Sequence, residues 1–364
     1  VMGPVDPEMA TPLHQELIRH GVDLRLNTSV TAFSNTGSDL ELELSDGQKL
    51  SVDTAILAIG VKPESQLAIE AGLEIGATGG IKVNAHMQTS DPDIYAVGDA
   101  VEVTDFVTGQ PALIPLAGPA NRQGRISADH IFGRNSAYKN TQGTAICKVF
   151  NLSIGMTGLS EKSAKRAGIA YEKIYIHAMS HAGYYPGAQL LSLKMLFDPD
   201  DGKVLGAQAV GADGVDKRID VMAVAIRAGL TVYDLEEMEL SYAPPYGSAK
   251  DPVNYAGFTA ANFLRGDVEL CHVEDISNPT DGQAVIDVRN PPELKAGGIP
   301  GAVNIPLPQL RNRLEELSGD KEYLVTCQAG LRGYLACRIL TQNGFKCRNL
   351  TGGYKTWSMS TQNG

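Results

Sequence analysis

A cysteine that follows a short apolar run and opens a glycine-containing loop is the strongest chemical signal in this sequence. Cys327 comes directly after the run 323–326, and Arg332 follows in the order Cys-Gln-Ala-Gly-Leu-Arg. A helical pattern continues beyond the loop. In such a strand–loop–helix arrangement, backbone N–H groups and the positive end of the helix point at the sulfur. The pattern predicts a nucleophilic thiolate, or a persulfide anion, stabilised by the loop and by Arg332.

Two proline-stiffened loops each carry a pair of tyrosines. The first reads Tyr184-Tyr185-Pro186-Gly187 and the second reads Tyr242-Ala243-Pro244-Pro245-Tyr246. A phenol stays protonated near neutral pH and can donate a hydrogen bond to a departing thiolate. Tyrosines at the rim of a loop are the simpler interpretation of each motif taken alone, so both interpretations stay open at this point.

A carboxylate closes a short apolar run in the first third of the chain. Tyr95-Ala96-Val97 is followed by Gly98 and Asp99, and the carboxyl end of a sheet strand is where α/β folds bind ligands. Downstream, Gly118-Pro119 begins a predicted helix with proline in its first turn. Free N–H groups at such a helix start favour a nearby anion. These residues predict a site for a ligand that has sugar-type hydroxyls and an anionic part.

The elements around these residues indicate an α/β protein of several domains. Residues 54–60 form a continuous apolar run, which is typical of a strand buried on both faces of a parallel sheet. The strict alternation at 40–44 predicts one strand of a hairpin. Strands at 191–197 and 203–210 precede a predicted helix at 215–229, so strands and helices alternate along most of the chain.

Composition narrows the class of protein. The chain has 364 residues, a net charge of −11 and a sequence pI near 5.1, which argues against nucleic-acid binding and against binding to an anionic membrane. We expect neither a membrane-spanning segment nor a secretory signal. The five cysteines contain no Cys-x-x-Cys pair, so we predict no disulfide scaffold, no metal site and a reducing cytoplasmic location.

Three motifs, in order, resemble the flavin-dependent pyridine nucleotide–disulfide oxidoreductases. They are Leu57-Ala58-Ile59-Gly60, Tyr95-Ala96-Val97-Gly98-Asp99 and Leu116-Ala117-Gly118-Pro119-Ala120-Asn121. The resemblance implies that Gly60 lies on the nicotinamide side of bound NADH or NADPH. The FAD-binding residues that it implies are Gly98, Asp99, Leu116, Ala117 and Asn121. The family's two Gly-x-Gly-x-x-Gly loops and its redox cysteine do not occur here, so we interpret the chain as the C-terminal portion of a longer enzyme.

The tyrosine loops, with Asp216-Lys217-Arg218-Ile219-Asp220 between them, resemble the coenzyme A-disulfide reductase branch of that family. In that branch this domain forms a homodimer, and tyrosines that match Tyr184 and Tyr242 reach the partner's redox cysteine. The resemblance implies coenzyme A as a substrate. Lys217 and Arg218 are candidates to bind its phosphate, although a solvated helix face or an ion pair between subunits is the simpler interpretation.

The region around Cys327 resembles a single-domain rhodanese. The spacing Cys-x4-Arg is found in sulfur-transferring rhodaneses, whereas related phosphatases have one more residue in the loop. Gly298 stands where the family usually has histidine, and Gly333 stands where it often has serine. The resemblance implies a persulfide on Cys327. The loop residues predicted to hold the substrate sulfur are Gln328, Ala329, Gly330, Leu331 and Gly333.

The sequence therefore predicts an α/β fold of four segments. Partial Rossmann-like domains for NAD(P)H and for FAD are expected at 1–78 and 79–140, respectively. An α+β dimerisation domain is expected at 141–268, and a small α/β rhodanese domain is expected at 269–364.

The expected function combines sulfur transfer with reduction. Cys327 takes sulfane sulfur from a small-molecule donor and passes it to a thiol, which by resemblance is coenzyme A. The flavin-dependent core then uses NADH to reduce the persulfide or polysulfide to sulfide and thiol. Two alternatives remain open. One is a coenzyme A-disulfide reductase or NADH oxidase with a regulatory rhodanese domain, and the other is a sulfur-carrier and dimerisation fragment without flavin activity.

Overall fold

A computed structural model describes residues 2–35, 37 and 39–361, which form two compact units. The first unit consists of Val1–Glu16, Thr104–Leu116 and Lys139–Gly364, and the second consists of Leu17–Val103 and Ala117–Tyr138. The outer ends of the predicted segments, at residues 1 and 364, lie outside the described residues. The four-segment division remains a prediction, whereas the mixed α/β fold is confirmed.

The elements are numbered along the chain. The helices are α1 (Pro7–Arg19), α2 (Gln66–Glu70), α3 (Ala117–Ile131), α4 (Glu161–Ala167), α5 (Val215–Ala228), α6 (Val232–Glu237), α7 (Pro252–Leu264), α8 (Val273–Ser277), α9 (Pro291–Leu294), α10 (Leu307–Leu310), α11 (Leu331–Gln342) and α12 (Gly353–Thr361). The first eleven strands are β1 (Val30–Asn35), β2 (Leu40–Leu44), β3 (Lys49–Val52), β4 (Ile81–Lys82), β5 (Val101–Thr104), β6 (Pro111–Ala112), β7 (Ala145–Val149), β8 (Leu152–Gly158), β9 (Glu172–Met179), β10 (Leu190–Phe197) and β11 (Val204–Gly211). The remaining strands are β12 (Glu269–Cys271), β13 (Gln283–Asp287), β14 (Val303–Asn304), β15 (Glu322–Thr326) and β16 (Lys346–Leu350).

An antiparallel sheet in the order β7-β8-β11-β10-β9 forms the centre of the first unit. Helix α5 lies against this sheet with the apolar face that its periodicity predicts, since Ile219, Met222 and Ile226 are buried. Gly229 ends the helix in a left-handed conformation at φ 69°, which glycine adopts without strain. Each large apolar side chain that is fully buried contributes about 1.5–3 kcal/mol, so this interface stabilises the domain.

A parallel sheet in the order β12-β16-β15-β13-β14 follows in the same unit. Strand β15 lies in its middle, and Cys327 stands at its carboxyl end. The neighbouring strand β13 pairs so that Asp287 faces Thr326. Because the carboxyl ends of parallel strands meet at one edge of a sheet, the loops that follow β13 and β15 lie side by side.

The apolar run at 54–60 is not a strand in this structure, contrary to the sequence-based prediction. Ile56, Leu57 and Ile59 expose 88%, 68% and 91% of their surface. A strand buried on both faces needs hydrogen-bonded neighbours, and the described residues provide none for this run. The predicted hairpin is confirmed, because β2 pairs antiparallel with β3.

Candidate functional site

The loop that begins at Cys327 directs a backbone N–H group at the sulfur. The Cys327 side chain is buried, and the Gly330 N–H donates a hydrogen bond to its Sγ at 3.1 Å. Gly330 adopts φ 101°, a conformation that other residues rarely reach. Helix α11 begins at the next residue, so the positive end of its dipole is adjacent to the sulfur. This arrangement favours a negative charge on Sγ.

The first turn of α12 holds the other side of the same loop. The N–H groups of Tyr354 and Lys355 donate to the carbonyl oxygens of Cys327 and Gln328 at 2.7 and 3.1 Å. Gly353 permits this approach, because a Cβ there would lie 2.4 Å from the Cys327 oxygen. The carbonyl groups of Cys327 and Gln328 are therefore hydrogen-bonded to α12, while the Gly330 N–H donates to the sulfur.

Arg332 does not stand free beside the sulfur. Its guanidinium donates two hydrogen bonds, of 2.7 and 2.6 Å, to the carboxylate of Glu293. The hydrogen bond from Arg332 lowers the pKa of Glu293 to about 2. The positive charge predicted for Arg332 is thus balanced by a carboxylate that the sequence analysis did not single out. Glu293 could have been noticed in the sequence because it follows β13, the strand that pairs with β15.

Arg289 is a second residue that the sequence analysis missed. It is buried, and its guanidinium donates to Asp287 at 2.7 Å and to the Gly297 carbonyl oxygen at 3.0 Å. It also lies 4.1 Å from the centre of the Tyr354 ring and donates to the Gln328 side-chain oxygen at 3.4 Å. Arg289 therefore connects the loop after β13 to both α12 and the Cys327 loop.

The structure explains the glycine at position 333, where rhodanese-like sequences often have serine. A Cβ at Gly333 would lie 2.2 Å from Oδ1 of Asn349, so the Asn349 side chain takes the space of a side chain at 333. The Asn349 amide group donates to the Gly330 carbonyl oxygen at 3.2 Å. Support for the loop therefore comes from β16 rather than from the residue after Arg332.

The other cysteines of this domain are buried thiols. Cys347 contacts the Cys337 carbonyl oxygen at 3.5 Å and the Thr341 hydroxyl at 3.4 Å. Cys271 is also buried, and burial raises its pKa well above the ordinary value. Cys337 and Cys347 therefore pack in the interior of the domain.

The two predicted tyrosines are brought together in the dimerisation domain. The hydroxyls of Tyr184 and Tyr242 lie 3.1 Å apart, and the side chains are 77% and 48% exposed. Their mutual hydrogen bond raises the pKa of Tyr184. The Tyr184 phenol therefore stays protonated near neutral pH, and both side chains are exposed.

Arg218 is buried and hydrogen-bonded inside the domain, which corrects the prediction that it binds a phosphate. It is 1% exposed and donates to Asp251 at 2.8 Å and to the Ser180 carbonyl oxygen at 2.7 Å. Because these partners use its guanidinium inside the domain, we assign Arg218 a structural role. Lys217 is half-buried, and its Nζ lies 3.7 Å from Asp251, so it alone stays a candidate for phosphate binding.

The residues predicted to bind FAD lie mostly in the second unit. Gly98 adopts φ 84°, and its N–H donates to the Gln123 side chain of α3 at 2.7 Å. This bond places the turn Gly98–Ala100, with Asp99 exposed, beside the first half of α3. An exposed carboxylate and the free N–H groups of a helix start fit a group with hydroxyls and an anionic part.

The other residues predicted to contact a cofactor are exposed or half-buried. Ala117 is exposed at the start of α3, directly before the Gly118-Pro119 pair at which the sequence predicts the helix to begin, and Asn121 is exposed in its second turn. Leu116, the last residue of its segment of the first unit, is half-buried. Gly60 is exposed at φ 98°. Their cofactor contacts remain predictions.

A largely buried group of carboxylates elsewhere in the first unit surrounds a lysine. Lys194 Nζ donates to Asp6 at 2.8 Å and to Glu8 and Glu161 at 2.5 Å each. Burial raises the pKa of Glu161, but Lys194 and Lys173 outweigh that effect and leave it well below its ordinary value. These carboxylate oxygens lie within 4.8 Å of one another, and the ammonium already supplies the positive charge that a metal ion would bring.

Three segments of the chain match known protein families. Residues 1–124 match the pyridine nucleotide-disulphide oxidoreductases, and residues 144–251 match the dimerisation domain of the same family. Residues 273–360 match the rhodanese-like domain. In the part of the chain that the structure describes, no helix has both the length and the apolar character needed to cross a membrane.

Curated relatives match about 70% of the chain. The NADH oxidase of Methanocaldococcus jannaschii is 38% identical over 71% of this chain and 57% of its own length. The NAD(P)H coenzyme A polysulfide/persulfide reductase of Pyrococcus horikoshii is 35% identical over 68% of this chain and 55% of its own. The coenzyme A disulfide reductase of Staphylococcus epidermidis is 33% identical over 70% and 57%.

Two solved structures match nearly the whole chain. The reduced Bacillus anthracis CoADR-RHD has a TM-score of 0.96 and 51% identity, and the match covers 99% of this chain and 64% of that one. A NAD-dependent persulfide reductase from A. fulgidus has a TM-score of 0.88 and 38% identity, with 97% and 64% covered. The chain thus spans less than two thirds of the length of each of these relatives.

The fold and the three matching segments together define the class of protein to which this chain belongs. The chain belongs to the pyridine nucleotide-disulphide oxidoreductase family, and its last domain is rhodanese-like. The resemblance that the sequence motifs carry is therefore confirmed.

Proposed function

We propose that this chain is part of an NAD(P)H-dependent flavoprotein that reduces persulfide or polysulfide sulfur, and that its rhodanese-like domain receives that sulfur on Cys327. The observation that supports this most directly is the hydrogen bond from the Gly330 N–H to the Cys327 Sγ. That bond lies in a loop whose carbonyls are held by α12. Relatives named as sulfur and persulfide reductases support the same function.

The first step is a sulfur transfer to Cys327. The thiolate attacks the sulfane sulfur of a donor such as thiosulfate, and the donor's S–S bond breaks. Sulfite leaves with the bonding electron pair, and a persulfide anion remains on the protein. The Gly330 N–H and the start of α11 stabilise its negative charge. Arg332 contributes less than a free guanidinium would, because Glu293 neutralises it.

The persulfide then passes to an acceptor thiol, for which we propose coenzyme A, since several relatives are named for it. Gly98, Asp99, Ala117 and Asn121, together with Leu116, would hold FAD, and Gly60 would lie toward NADH or NADPH. When bound, FAD relays electrons from the nicotinamide to an S–S bond.

Tyr184 and Tyr242 would donate a hydrogen bond to the thiolate that leaves during reduction. Their exposure fits a role at a subunit interface, and we propose a homodimer formed through the dimerisation domain. In the full-length enzyme, the double variant Tyr184→Phe/Tyr242→Phe should slow persulfide turnover and leave flavin reduction by NADH intact. Full turnover in the double variant would remove these roles.

The test of the sulfur-transfer step is Cys327→Ser, with Cys147→Ser as a matched control outside the loop. After incubation with thiosulfate, mass spectrometry should show one added sulfur atom on the wild type and on the control, and none on Cys327→Ser. Unchanged sulfur uptake and sulfurtransferase activity in Cys327→Ser would overturn the assignment.

Two other functions are separated by simple measurements. A coenzyme A-disulfide reductase or NADH oxidase, as two relatives are named, would oxidise NADH faster with coenzyme A disulfide or oxygen than with coenzyme A persulfide. A sulfur carrier without flavin activity would show no flavin absorbance when purified. Flavin absorbance of the purified chain would count against that second function.

A further inference from the structure

Tyr184 and Tyr242 lie far apart in the chain, yet their hydroxyls come within 3.1 Å of each other. Both side chains are exposed, so their own packing does not fix that distance. A backbone hydrogen bond joins the two loops, because the Ala182 N–H donates to the Gly247 carbonyl oxygen at 2.9 Å. A bond at one point leaves two loops free to turn about it. Holding the hydroxyls together therefore requires a further connection between the loops.

The buried side chain of Arg218 supplies that connection. Its Nη2 donates to the Ser180 carbonyl oxygen at 2.7 Å and to Oδ2 of Asp251 at 2.8 Å. Ser180 precedes the loop of Tyr184, and Asp251 follows the loop of Tyr242. One nitrogen atom of α5 thus bridges the ends of both tyrosine loops.

The guanidinium of Arg218 is held in one orientation. Its Nε donates to Oδ1 of Asp251 at 3.2 Å, and its Nη1 donates to the Gly214 carbonyl oxygen at 3.2 Å. With the two bonds from Nη2, four of the five N–H donors of a guanidinium are used. Gly214 permits this approach, because a Cβ there would overlap Nη1. A planar group with this many partners fixes the distance between the atoms that it joins.

The carboxylate of Asp251 is anchored as well. Asp251 is 3% exposed and caps α7, since its Oδ1 accepts a hydrogen bond from the Val253 N–H at 3.1 Å. Apolar side chains of α5 and α7, including Ile219 and Val253, belong to the same buried core. The pair of Arg218 and Asp251 therefore refers both tyrosine loops to the core of the domain.

The energetics of a buried ion pair agree with a role in geometry. Taking two charges out of water is costly, and the replacement of such a pair by apolar residues of similar volume is often neutral or stabilising. The pair of Arg218 and Asp251 is thus a weak source of net stability. What it provides is a fixed separation between two loops that each carry a tyrosine.

We propose that Arg218, acting through Asp251, is a positioning residue that holds the hydroxyls of Tyr184 and Tyr242 together, so that the two phenols act as one hydrogen-bond donor to the thiolate released during reduction. One hydroxyl donates to the other, and this makes the second a stronger donor to an anion. The inference rests on the proposed function, because the thiolate is the one that the tyrosines serve there.

The first test compares the effect of Tyr184→Phe in two backgrounds of the full-length enzyme. Arg218→Met/Asp251→Asn removes both charges, and the asparagine keeps an oxygen that can cap α7. The factor by which Tyr184→Phe lowers the kcat of persulfide reduction should be at least about twofold smaller in this background, as expected for coupled residues. Flavin reduction by NADH should keep its wild-type rate. Equal factors in the two backgrounds would overturn the proposal.

The second test does not depend on activity. The hydrogen bond between the tyrosines raises the pKa of Tyr184, and NMR of tyrosine isotopically labelled at Cζ follows the ionisation of that residue. The midpoint of Tyr184 should fall in Arg218→Met/Asp251→Asn, as it should in Tyr242→Phe. A midpoint that falls in Tyr242→Phe and stays at the wild-type value in the Arg218 variant would overturn the positioning role.

A matched control removes a second arginine–carboxylate pair of the same domain. Arg265, which follows the last turn of α7, donates to Glu236 at 2.9 and 2.6 Å. Arg265→Met/Glu236→Gln should leave the Tyr184 midpoint and the effect of Tyr184→Phe unchanged. Arg218→Lys keeps the positive charge without the planar fork, and it should lower the Tyr184 midpoint by a smaller amount. If the double variant does not fold, an unchanged midpoint in Arg218→Lys overturns the proposal.

The two tests also separate this inference from the proposed function. Full turnover in Tyr184→Phe/Tyr242→Phe would remove the tyrosines from the proposed reaction, while a lowered Tyr184 midpoint in the Arg218 variants would still establish the positioning. Slow turnover in the tyrosine double variant, with an unchanged midpoint in the Arg218 variants, would overturn the positioning alone.

Discussion

The rhodanese-like site and the predicted cofactor site lie in regions of very different packing. The strand that ends at Cys327 is central in a parallel sheet, and the loop that follows is held by Gly353, Arg289 and Asn349. Around Asp99, the predicted binding residues are largely exposed, and the apolar side chains at 56–61 face outward. The conformation of a loop depends on the neighbours of its strand, so packing fixes the Cys327 loop, whereas the side chains at 56–61 lack such neighbours among the described residues.

The largest expected effect is on the free energy of unfolding, when isoleucine is replaced by alanine in each of the two regions. Ile286→Ala, at a residue that is 1% exposed in β13, should lower the free energy of unfolding by about 2–5 kcal/mol, because it opens a cavity in the core. Ile59→Ala, at a residue that is 91% exposed, should change it by no more than about 0.5 kcal/mol. Urea denaturation measures both, and equal effects would refute the contrast.

The next prediction concerns Gly353, which lets α12 approach and hold the Cys327 loop. Gly353→Ala places a Cβ 2.4 Å from the Cys327 carbonyl oxygen at φ 62°, so it should cost more than the strain of about 1–2 kcal/mol for a left-handed alanine. It should also slow sulfur loading on Cys327.

Gly344→Ala is the matched control, because Gly344 has φ 84° and no atom within 4 Å of the added Cβ. This variant should lose stability only through the backbone strain, and it should load sulfur on Cys327 at nearly the wild-type rate. If both variants load sulfur at the same rate, the loop does not depend on close packing at Gly353.

A smaller effect is expected at the hydrogen bond between His177 and Thr356, which joins the antiparallel sheet to the rhodanese-like domain. His177 is buried and accepts or donates one hydrogen bond with Thr356 of α12 at 2.8 Å. Burial, with a smaller effect of Lys355, lowers the pKa of His177 to about 3, so the ring is neutral. Thr356→Val leaves a ring nitrogen without a partner and should cost about 1–3 kcal/mol.

Thr356→Ser keeps the hydroxyl and should recover most of that loss, although its missing methyl group costs about 1 kcal/mol. Chemical denaturation of both variants provides the comparison. A serine variant as unstable as the valine variant would show that the hydroxyl contributes nothing.

The smallest effect concerns pH and the pair of Glu293 with Arg332. The pKa of Glu293 falls from an ordinary value of 4.5 to about 2 in the folded chain. A carboxyl group with a lowered pKa stabilises the fold above its unfolded pKa and loses that contribution as the pH falls toward its folded pKa. The stability difference between wild type and Glu293→Gln should therefore be constant above about pH 5 and shrink between 4.5 and about 2.

Urea midpoints measured for both proteins across this pH range would check that prediction. A difference that does not change with pH would show that the ion pair does not stabilise the loop. In that case the charge of Arg332 would be more available to the sulfur than the structure indicates.

Several features could be predicted because the residues that produce them are close in sequence. The spacing from Cys327 to Arg332 indicates a strand–loop–helix, and the periodicity of α5 identifies its buried face. The loops at Tyr184 and Tyr242 could be noted individually, but their hydroxyl–hydroxyl contact joins residues that lie far apart in the chain. Their proximity followed from the family resemblance rather than from local pattern.

The sequence by itself determined the family and the order of the matching segments, and it singled out Cys327 as the candidate nucleophile, because these depend on short motifs and local periodicity. Only the tertiary structure decided that Arg332 pairs with Glu293, that Arg218 is buried against Asp251, and that the run at 54–60 is exposed. The physical reason is that ion pairs and burial depend on which strands become neighbours, and strand order is a property of the whole fold.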